Sequence, residues 1–197
     1  RSETTVKVFD QMRKLQSYTD EGSPGRDWNV ATGMVIEGKA GFQIMGDWAK
    51  GEFTAAGKVP GVDYYCAATP SNNGYLYNVD SFIFYKSSDP DKQAGQKLLA
   101  KLMMGKNFQK VFNLYKGSIP ARLDVSMDEF DKCAKTSNAD IKTAGAKGGL
   151  VPSFAHGMAQ GNTMKAALQD IITEHFNSDM SSVDAANALA DSVLANM

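Results

Sequence analysis

Five residues at the ends of predicted helices and strands suggest a specific chemistry: Trp28, Trp48, Asp80, Lys116 and His156. The apolar C–H face of a sugar stacks well on an indole ring, whereas its hydroxyls need several directed hydrogen bonds. Carbohydrate sites therefore combine aromatic side chains with charged and polar ones. The two tryptophans are the only ones in the sequence. This set of residue types indicates a site for a sugar.

Each residue also has a structural interpretation that the sequence alone leaves open. Trp28 and Trp48 can be core or rim residues. Asp80 interrupts an apolar segment, where a carboxylate is costly unless it is paired or faces a cleft. Lys116 can be a solvated surface lysine before the turn 117–120, and Arg122 can tie down a loop. His156 lies in a loop of small residues, where backbone can approach a ligand closely.

No motif of a known catalytic class occurs in the sequence. A GxSxG elbow, a phosphate-binding loop, a GxGxxG turn and an HExxH helix are all missing. A carbohydrate hydrolase would need a carboxylate pair drawn from Glu37, Asp47 and Asp80, but their spacing singles out no pair. We therefore expect a binding protein without catalytic residues, cofactor or metal. A helical interaction module without a small ligand is the second alternative.

Two cysteines, Cys66 and Cys133, fit neither a CxxC redox pair nor a zinc site. In an oxidising compartment they can form a disulfide, and in the cytosol they are two buried thiols. The remaining composition is that of a globular protein. Of its residues, 43% are apolar and 22% are charged, and the net charge is −1. This balance excludes a broad basic surface for nucleic acid.

The helices and strands that position these residues follow from hydrophobic periodicity and capping signals. The pattern predicts strands at 39–45, 62–69 and 79–85, and a cap at Asp47. The predicted helices are 4–18, 28–37, 48–56, one from Asp89-Pro90, one around 108–115, 127–135, 138–146 and two at the end that include Met197. A polar turn is expected at 71–74. The fold class is α/β and helix-rich, and three short strands make a poor sheet, which suggests that further strands lie upstream.

Two segments, 36–48 (IEGKAGFQIMGDW) and 115–122 (YKGSIPAR), resemble the family 1 extracellular solute-binding proteins of carbohydrate ABC importers. The resemblance spans essentially the whole chain. It is closest to the glucose/mannose-binding branch through residues 46–48, 79–82, 116–118 and 154–157. Members of this family are about twice as long as this chain.

The resemblance implies a type II periplasmic-binding-protein fold, whose two lobes close over a hexose and then dock on a membrane permease. This chain would be its C-terminal half, with about 1–70 and 120–197 in the C-terminal lobe and about 79–115 in the other lobe. The implied sugar ligands are Trp28, Trp48, Asp80, Lys116 and His156. The implied location is the periplasm, which favours a Cys66–Cys133 disulfide.

Overall fold

A computed structural model describes residues 1–71 and 74–196. The middle of the predicted 71–74 turn, Asn72 and Asn73, and the terminal Met197 lie outside the described residues. The chain divides into two compact units. Unit 1 comprises Arg1–Arg26, Leu76–Asn78 and Pro152–Met197, and unit 2 comprises Asp27–Tyr75 and Val79–Val151.

Unit 1 is built from three helices, α1 (Glu3–Gln16), α7 (Asn162–Asn177) and α8 (Ser182–Ala195), which pack against one another. Serine side chains cap α1 and α8, because Ser2 accepts from the Thr5 N–H and Ser181 from the Asp184 N–H. Phe9 and two small alanines form the core. The alanines let α8 approach α1 closely around the phenyl ring.

Unit 2 contains the other helices. These are α2 (Trp28–Ile36), a 3-10 turn (Asp47–Ala49) that leads into α3 (Lys50–Ala55), α4 (Pro90–Met103), α5 (Lys106–Lys116) and α6 (Lys132–Ala146). α3 packs against both α2 and α5. One core cluster consists of Val125, Phe130 and Ala134. The turn that carries Trp48 thus leads into a helix that is packed on two others.

Two short strands pair with each other, β1 (Tyr75–Tyr77) and β2 (Leu150–Pro152). Neither was predicted, because three residues are too few to show alternation. The predicted strands 39–45, 62–69 and 79–85 are wrong as secondary structure: within the described residues these segments carry no strand assignment. In the part of the chain that the structure describes, their backbones have no neighbouring strand to complete a ladder.

Most helix predictions are confirmed to within a few residues, and two details are wrong. Asp89 caps α4 by accepting from the Asp91 and Lys92 N–H groups, with Pro90 first in the helix. Asp47 is not a helix cap, because it is the first residue of the 3-10 turn and Gly46 occupies the capping position. In place of the two predicted helices 127–135 and 138–146 the structure has a single helix, α6. It begins after Asp131, whose carboxylate caps it by accepting from the Ala134 N–H. Among the described residues, we find no helix with the length and apolar character that crossing a bilayer requires.

Candidate functional site

Two of the sequence-predicted residues, Asp80 and Lys116, form an ion pair in unit 2. The Lys116 ammonium donates to a carboxylate oxygen of Asp80 and lies 5.8 Å from the centre of the Phe112 ring. The side chain of Lys116 is 28% exposed and that of Asp80 is 61% exposed. A donor and an acceptor for hydroxyl groups therefore stand side by side at the surface of one compact unit.

Lys116 is placed by the end of α5. Gly117 stops this helix in the left-handed conformation, with φ of +85°, and its N–H donates to the Asn113 carbonyl oxygen at 2.9 Å. Asn113 is buried and donates to the Gln109 carbonyl oxygen. The last turn of α5 is therefore fixed by buried polar contacts, and Lys116 projects from a defined point.

Close backbone packing joins this point to the turn that carries Trp48. A Cβ on Gly117 would lie 2.8 Å from the Gly51 nitrogen and 2.9 Å from the Lys50 Cβ. A Cβ on Gly51 would lie 3.0 Å from the Lys116 carbonyl oxygen. Only glycine fits at Gly117, because this contact leaves no room for a side chain and the φ is positive.

Trp48 stands on the 3-10 turn two residues after Gly46. Its six-membered ring lies over the Gly46 backbone so closely that a Cβ there would collide with it. The side chain is half-buried, and the next residue, Ala49, is buried. The indole is therefore held by its own turn and is neither fully buried nor fully exposed.

Asp47, next to Trp48, is partly buried, and the charges of Lys50 and Lys116 act on its carboxyl. Burial raises the pKa of the Asp47 carboxyl above its usual value, while Lys50, the Ile119 N–H and Lys116 oppose that rise. The sequence predicts Asp47 only as a helix cap or as one carboxylate of a hydrolase pair. Its charge environment includes Lys116, which lies far along the chain, and no local pattern reveals such a neighbour.

Lys50 is buried and paired with Asp131 at 2.8 Å. The pKa of Asp131 is lowered: burial alone would raise it, but Lys50 and the Ala134 N–H outweigh burial. Next to this pair, Tyr64 stacks on Phe53 with ring centres 4.2 Å apart. Burial, together with the Asp131 charge, raises the pKa of Tyr64 to about 12.

Cys66 and Cys133 form a disulfide with Cα atoms 5.6 Å apart, so the pairing implied by the resemblance is present. Cys66 follows Tyr64 by two residues and Cys133 follows Asp131 by two. The crosslink thus ties the segment that carries Tyr64 to the first turn of α6.

Trp28 is the first residue of α2, and its side chain is exposed. The Gln43 side-chain amide donates to the Trp28 carbonyl oxygen at 2.8 Å, which holds segment 39–45 against the start of the helix. Because α2 packs on α3, both tryptophans stand at the start of helical segments that belong to one packed group.

His156 lies in unit 1 and is exposed. Its Nδ1 is 2.7 Å from the Ser153 hydroxyl, and the buried Ser153 donates its N–H to the Tyr77 carbonyl oxygen. The other four sequence-predicted residues, Trp28, Trp48, Asp80 and Lys116, all belong to unit 2. The part that His156 plays stays a prediction from the sequence. No group of three or more His, Cys, Asp or Glu side chains in the described ranges could hold a metal.

Comparison with known proteins identifies the class of protein. Residues 1–169 match the bacterial extracellular solute-binding protein family, and the chain belongs to this family. The structure confirms that Arg122 ties down its loop, because the guanidinium donates to both carboxylate oxygens of Asp124 and to the Met104 carbonyl oxygen.

Three relatives show the range of similarity. A probable sugar-binding periplasmic protein of Brucella suis is 47% identical over 98% of this chain and 46% of its own length. An uncharacterized ABC transporter extracellular-binding protein of Pyrococcus horikoshii is 34% identical over 87% of this chain and 38% of its own length. A xylose/arabinose-binding protein of Haloferax volcanii is 26% identical over 95% of this chain and 40% of its own length. The chain spans about half the length of the curated relatives it matches.

Proposed function

We propose that this chain is the C-terminal half of a periplasmic protein that binds a glucose-like hexose and delivers it to the permease of an ABC importer. The observation that carries the proposal is the Asp80–Lys116 pair, which stands beside the turn of Trp48 in one unit. The names of the relatives support a sugar as ligand and an ABC transporter as partner. Membership of a solute-binding family supports a binding role without catalysis.

The pair suits a polyhydroxylated ligand for a chemical reason. A carboxylate only accepts hydrogen bonds and an ammonium only donates them, so together they fix which way two neighbouring hydroxyls point. Hydrogen bonds to charged groups contribute about 1.5–3 kcal/mol each. Stacking on Trp48, and on the exposed Trp28, removes the apolar C–H face of the sugar from water. Orientation of the hydroxyls then selects the stereochemistry.

In this proposal, an exposed apolar segment, 82–85, is the place where the rest of the protein completes the fold. Phe82, Ile83, Phe84 and Tyr85 are consecutive and exposed, with Ile83 at 79%. Adjacent residues of an extended chain point to opposite faces, so this run suits a strand covered on both sides. The side chains of Gln93 and Gln96 hold α4 against it by donating to the Ser87 and Tyr85 carbonyl oxygens.

We infer that sheet strands from the other half of the protein cover this segment, as in a two-lobed type II fold. The lobe assignment above, with about 79–115 in the second lobe, differs from the boundaries of units 1 and 2. It refers to the whole protein and stays a proposal. Ligand capture would then proceed by closure of the lobes, followed by docking on the permease.

Calorimetric titration of the full-length protein tests the assignment. Trp48→Ala and Asp80→Ala should each weaken glucose binding about tenfold or more, the equivalent of one charged hydrogen bond. Glu129→Ala is the matched control, because it removes a carboxylate that pairs with Lys110 at the surface of unit 2. Unchanged titrations for both site variants would refute the assignment.

Titrations with other sugars, a hydrolysis assay and tryptophan fluorescence distinguish the alternative functions. Tighter binding of xylose than of glucose would change the ligand to a pentose, as in the Haloferax relative's name. Hydrolysis of a chromogenic glycoside would favour the hydrolase. No sugar-dependent change in tryptophan fluorescence or heat, for any sugar, would favour the helical interaction module.

A further inference from the structure

Lys50 is in contact with three different parts of unit 2. It directly follows the 3-10 turn that carries Trp48, and its N–H donates to the Asp47 carbonyl oxygen, which closes that turn. Its Cβ lies against the end of α5, where a Cβ on Gly117 would be 2.9 Å away. Its ammonium donates to the Asp131 carboxylate at 2.8 Å. One residue therefore joins the Trp48 turn, the end of α5 and the start of α6.

The burial of this lysine indicates a role in geometry. Lysine is almost never fully buried unless it is paired, and an apolar side chain of similar volume often stabilises a protein as well or better. The Lys50 side chain is 7% exposed, whereas that of Lys110, the partner of Glu129, is 30% exposed. An ion pair differs from an apolar contact in its direction, because the ammonium must meet one carboxylate at one place. The buried pair therefore fixes a position.

The carboxylate that holds Lys50 is itself fixed. Its two oxygens have different partners, since Oδ1 of Asp131 accepts from the Ala134 N–H at 2.8 Å and Oδ2 accepts from Lys50. The same first turn of α6 is crosslinked through Cys133 to Cys66. Asp131 is thus a rigid anchor, and the ammonium that it binds cannot shift without breaking the pair.

We propose that Lys50 is a positioning residue of the sugar site, whose ion pair with Asp131 anchors the Trp48 turn against the end of α5. This inference rests on the proposed function. Lys50 does not touch the sugar in this proposal, but it sets where the Trp48 indole stands relative to Lys116. An aromatic ring and a hydrogen-bond donor act on one ligand only when their spacing matches it, so a residue that supports them raises affinity without a contact of its own.

Lys50→Met in the full-length protein removes the ammonium and keeps an unbranched side chain. With Trp48, Asp80 and Lys116 intact, we expect the Kd for glucose, measured by calorimetry, to rise about tenfold. Lys110→Met is the matched control, because it removes an ion pair of 2.7 Å from the helix that carries Lys116 and should leave the Kd unchanged.

The outcomes of these titrations separate the inference from the proposed function. An unchanged Kd for Lys50→Met, with a raised Kd for Trp48→Ala, would overturn the inference and leave the proposed function standing. A wild-type protein that binds no sugar would overturn both.

Two further variants distinguish positioning from a general loss of stability. Phe9→Leu removes part of a buried ring from the core of unit 1, and it should lower stability but not affinity. In the Trp48→Ala background, Lys50→Met should cost no further affinity, because Lys50 acts through the indole. A Kd for Phe9→Leu as high as that for Lys50→Met would overturn the inference, and so would additive losses in the double variant.

Nuclear magnetic resonance provides a measurement that needs no sugar. The indole N–H resonance of Trp48, assigned by its loss in Trp48→Phe, should shift in Lys50→Met and keep its wild-type position in Lys110→Met. An unchanged resonance would show that the turn keeps its place without the ion pair, and would overturn the inference. If Lys50→Met fails to fold, Lys50→Gln replaces it in both measurements, since glutamine keeps a polar donor on a side chain that is shorter than lysine.

Discussion

Gly117 and Gly51 are in direct backbone contact, although they lie far apart in the sequence. A Cβ on Gly117 would lie 2.8 Å from the Gly51 nitrogen. The contact seats the end of α5, which carries Lys116, on the beginning of α3, which directly follows the 3-10 turn that carries Trp48. The two glycines therefore set the distance between the charged and the aromatic part of the candidate site.

Gly117→Ala should destabilise the protein by about 2–3 kcal/mol, because it adds a steric clash to the cost of a left-handed alanine. Gly57→Ala is the control, since Gly57 has φ of +71° but no atom within 4 Å of a new Cβ. It should lose only about 1 kcal/mol. Urea unfolding of both variants measures the difference, and equal losses would show that the packing contact contributes nothing.

The helices were predictable because their signals are local. Asp89-Pro90 places the start of α4 by capping chemistry, and Gly117 ends α5. Strands depend on partners distant in sequence. Segment 79–85 has the composition of a strand but no strand assignment, since no neighbour pairs with it along the described chain.

In the candidate site too, local features could be predicted from the sequence and contacts between distant residues could not. Asp80 and Lys116 were each singled out by local context, yet their ion pair spans 36 residues and could not be derived from spacing. Asp47, Lys50 and Asp131 were missed as a charge cluster. A buried lysine inside a short helix gives no periodic signal, and its carboxylate partner is 81 residues away.

The Lys50–Asp131 pair predicts unequal effects for its two partners. The Lys50 side chain is 7% exposed and that of Asp131 is 33% exposed. Asp131→Asn removes the carboxylate that is hydrogen-bonded to the buried ammonium and should cost about 3–5 kcal/mol. Lys50→Met leaves a carboxylate that still accepts from the Ala134 N–H. This second change should cost only about 1–2 kcal/mol. Urea unfolding measures both variants. A larger loss of stability for Lys50→Met than for Asp131→Asn would contradict this prediction.

The Cys66–Cys133 disulfide should stabilise unit 2 mainly through the unfolded chain. The sequence separation of its partners is 67. Closing a loop of that length is worth about 4 kcal/mol in the chain-entropy model. Paired Cys66→Ser and Cys133→Ser substitutions should lower the urea midpoint accordingly. Dithiothreitol should lower the wild-type midpoint to that of the double variant and leave the double variant unchanged. An effect of dithiothreitol on the double variant would contradict this account.

His175 makes the stability of unit 1 depend on pH. The imidazole is fully buried against Phe9, with ring centres 4.7 Å apart. Burial, followed by the charge of Arg13, lowers the pKa of His175 below its usual 6.5, and Asp10 opposes the shift only in part. The C-terminal end of α7 would by itself favour the imidazolium. Burial outweighs it.

The sign of the effect follows from proton uptake. Because the pKa of His175 is lower in the folded chain, the unfolded chain binds more protons at this residue as the pH falls through about 6.5, so the free energy of unfolding falls between pH 7.5 and 5.5. The slope for one proton is at most about 1.4 kcal/mol per pH unit. His175→Gln should lower stability at pH 7.5 but flatten this dependence. His156→Gln, which alters an exposed side chain in the same unit, should retain it. If urea unfolding at pH 7.5 and 5.5 shows the same change in the free energy of unfolding for His175→Gln as for the wild type, another residue causes the acid sensitivity.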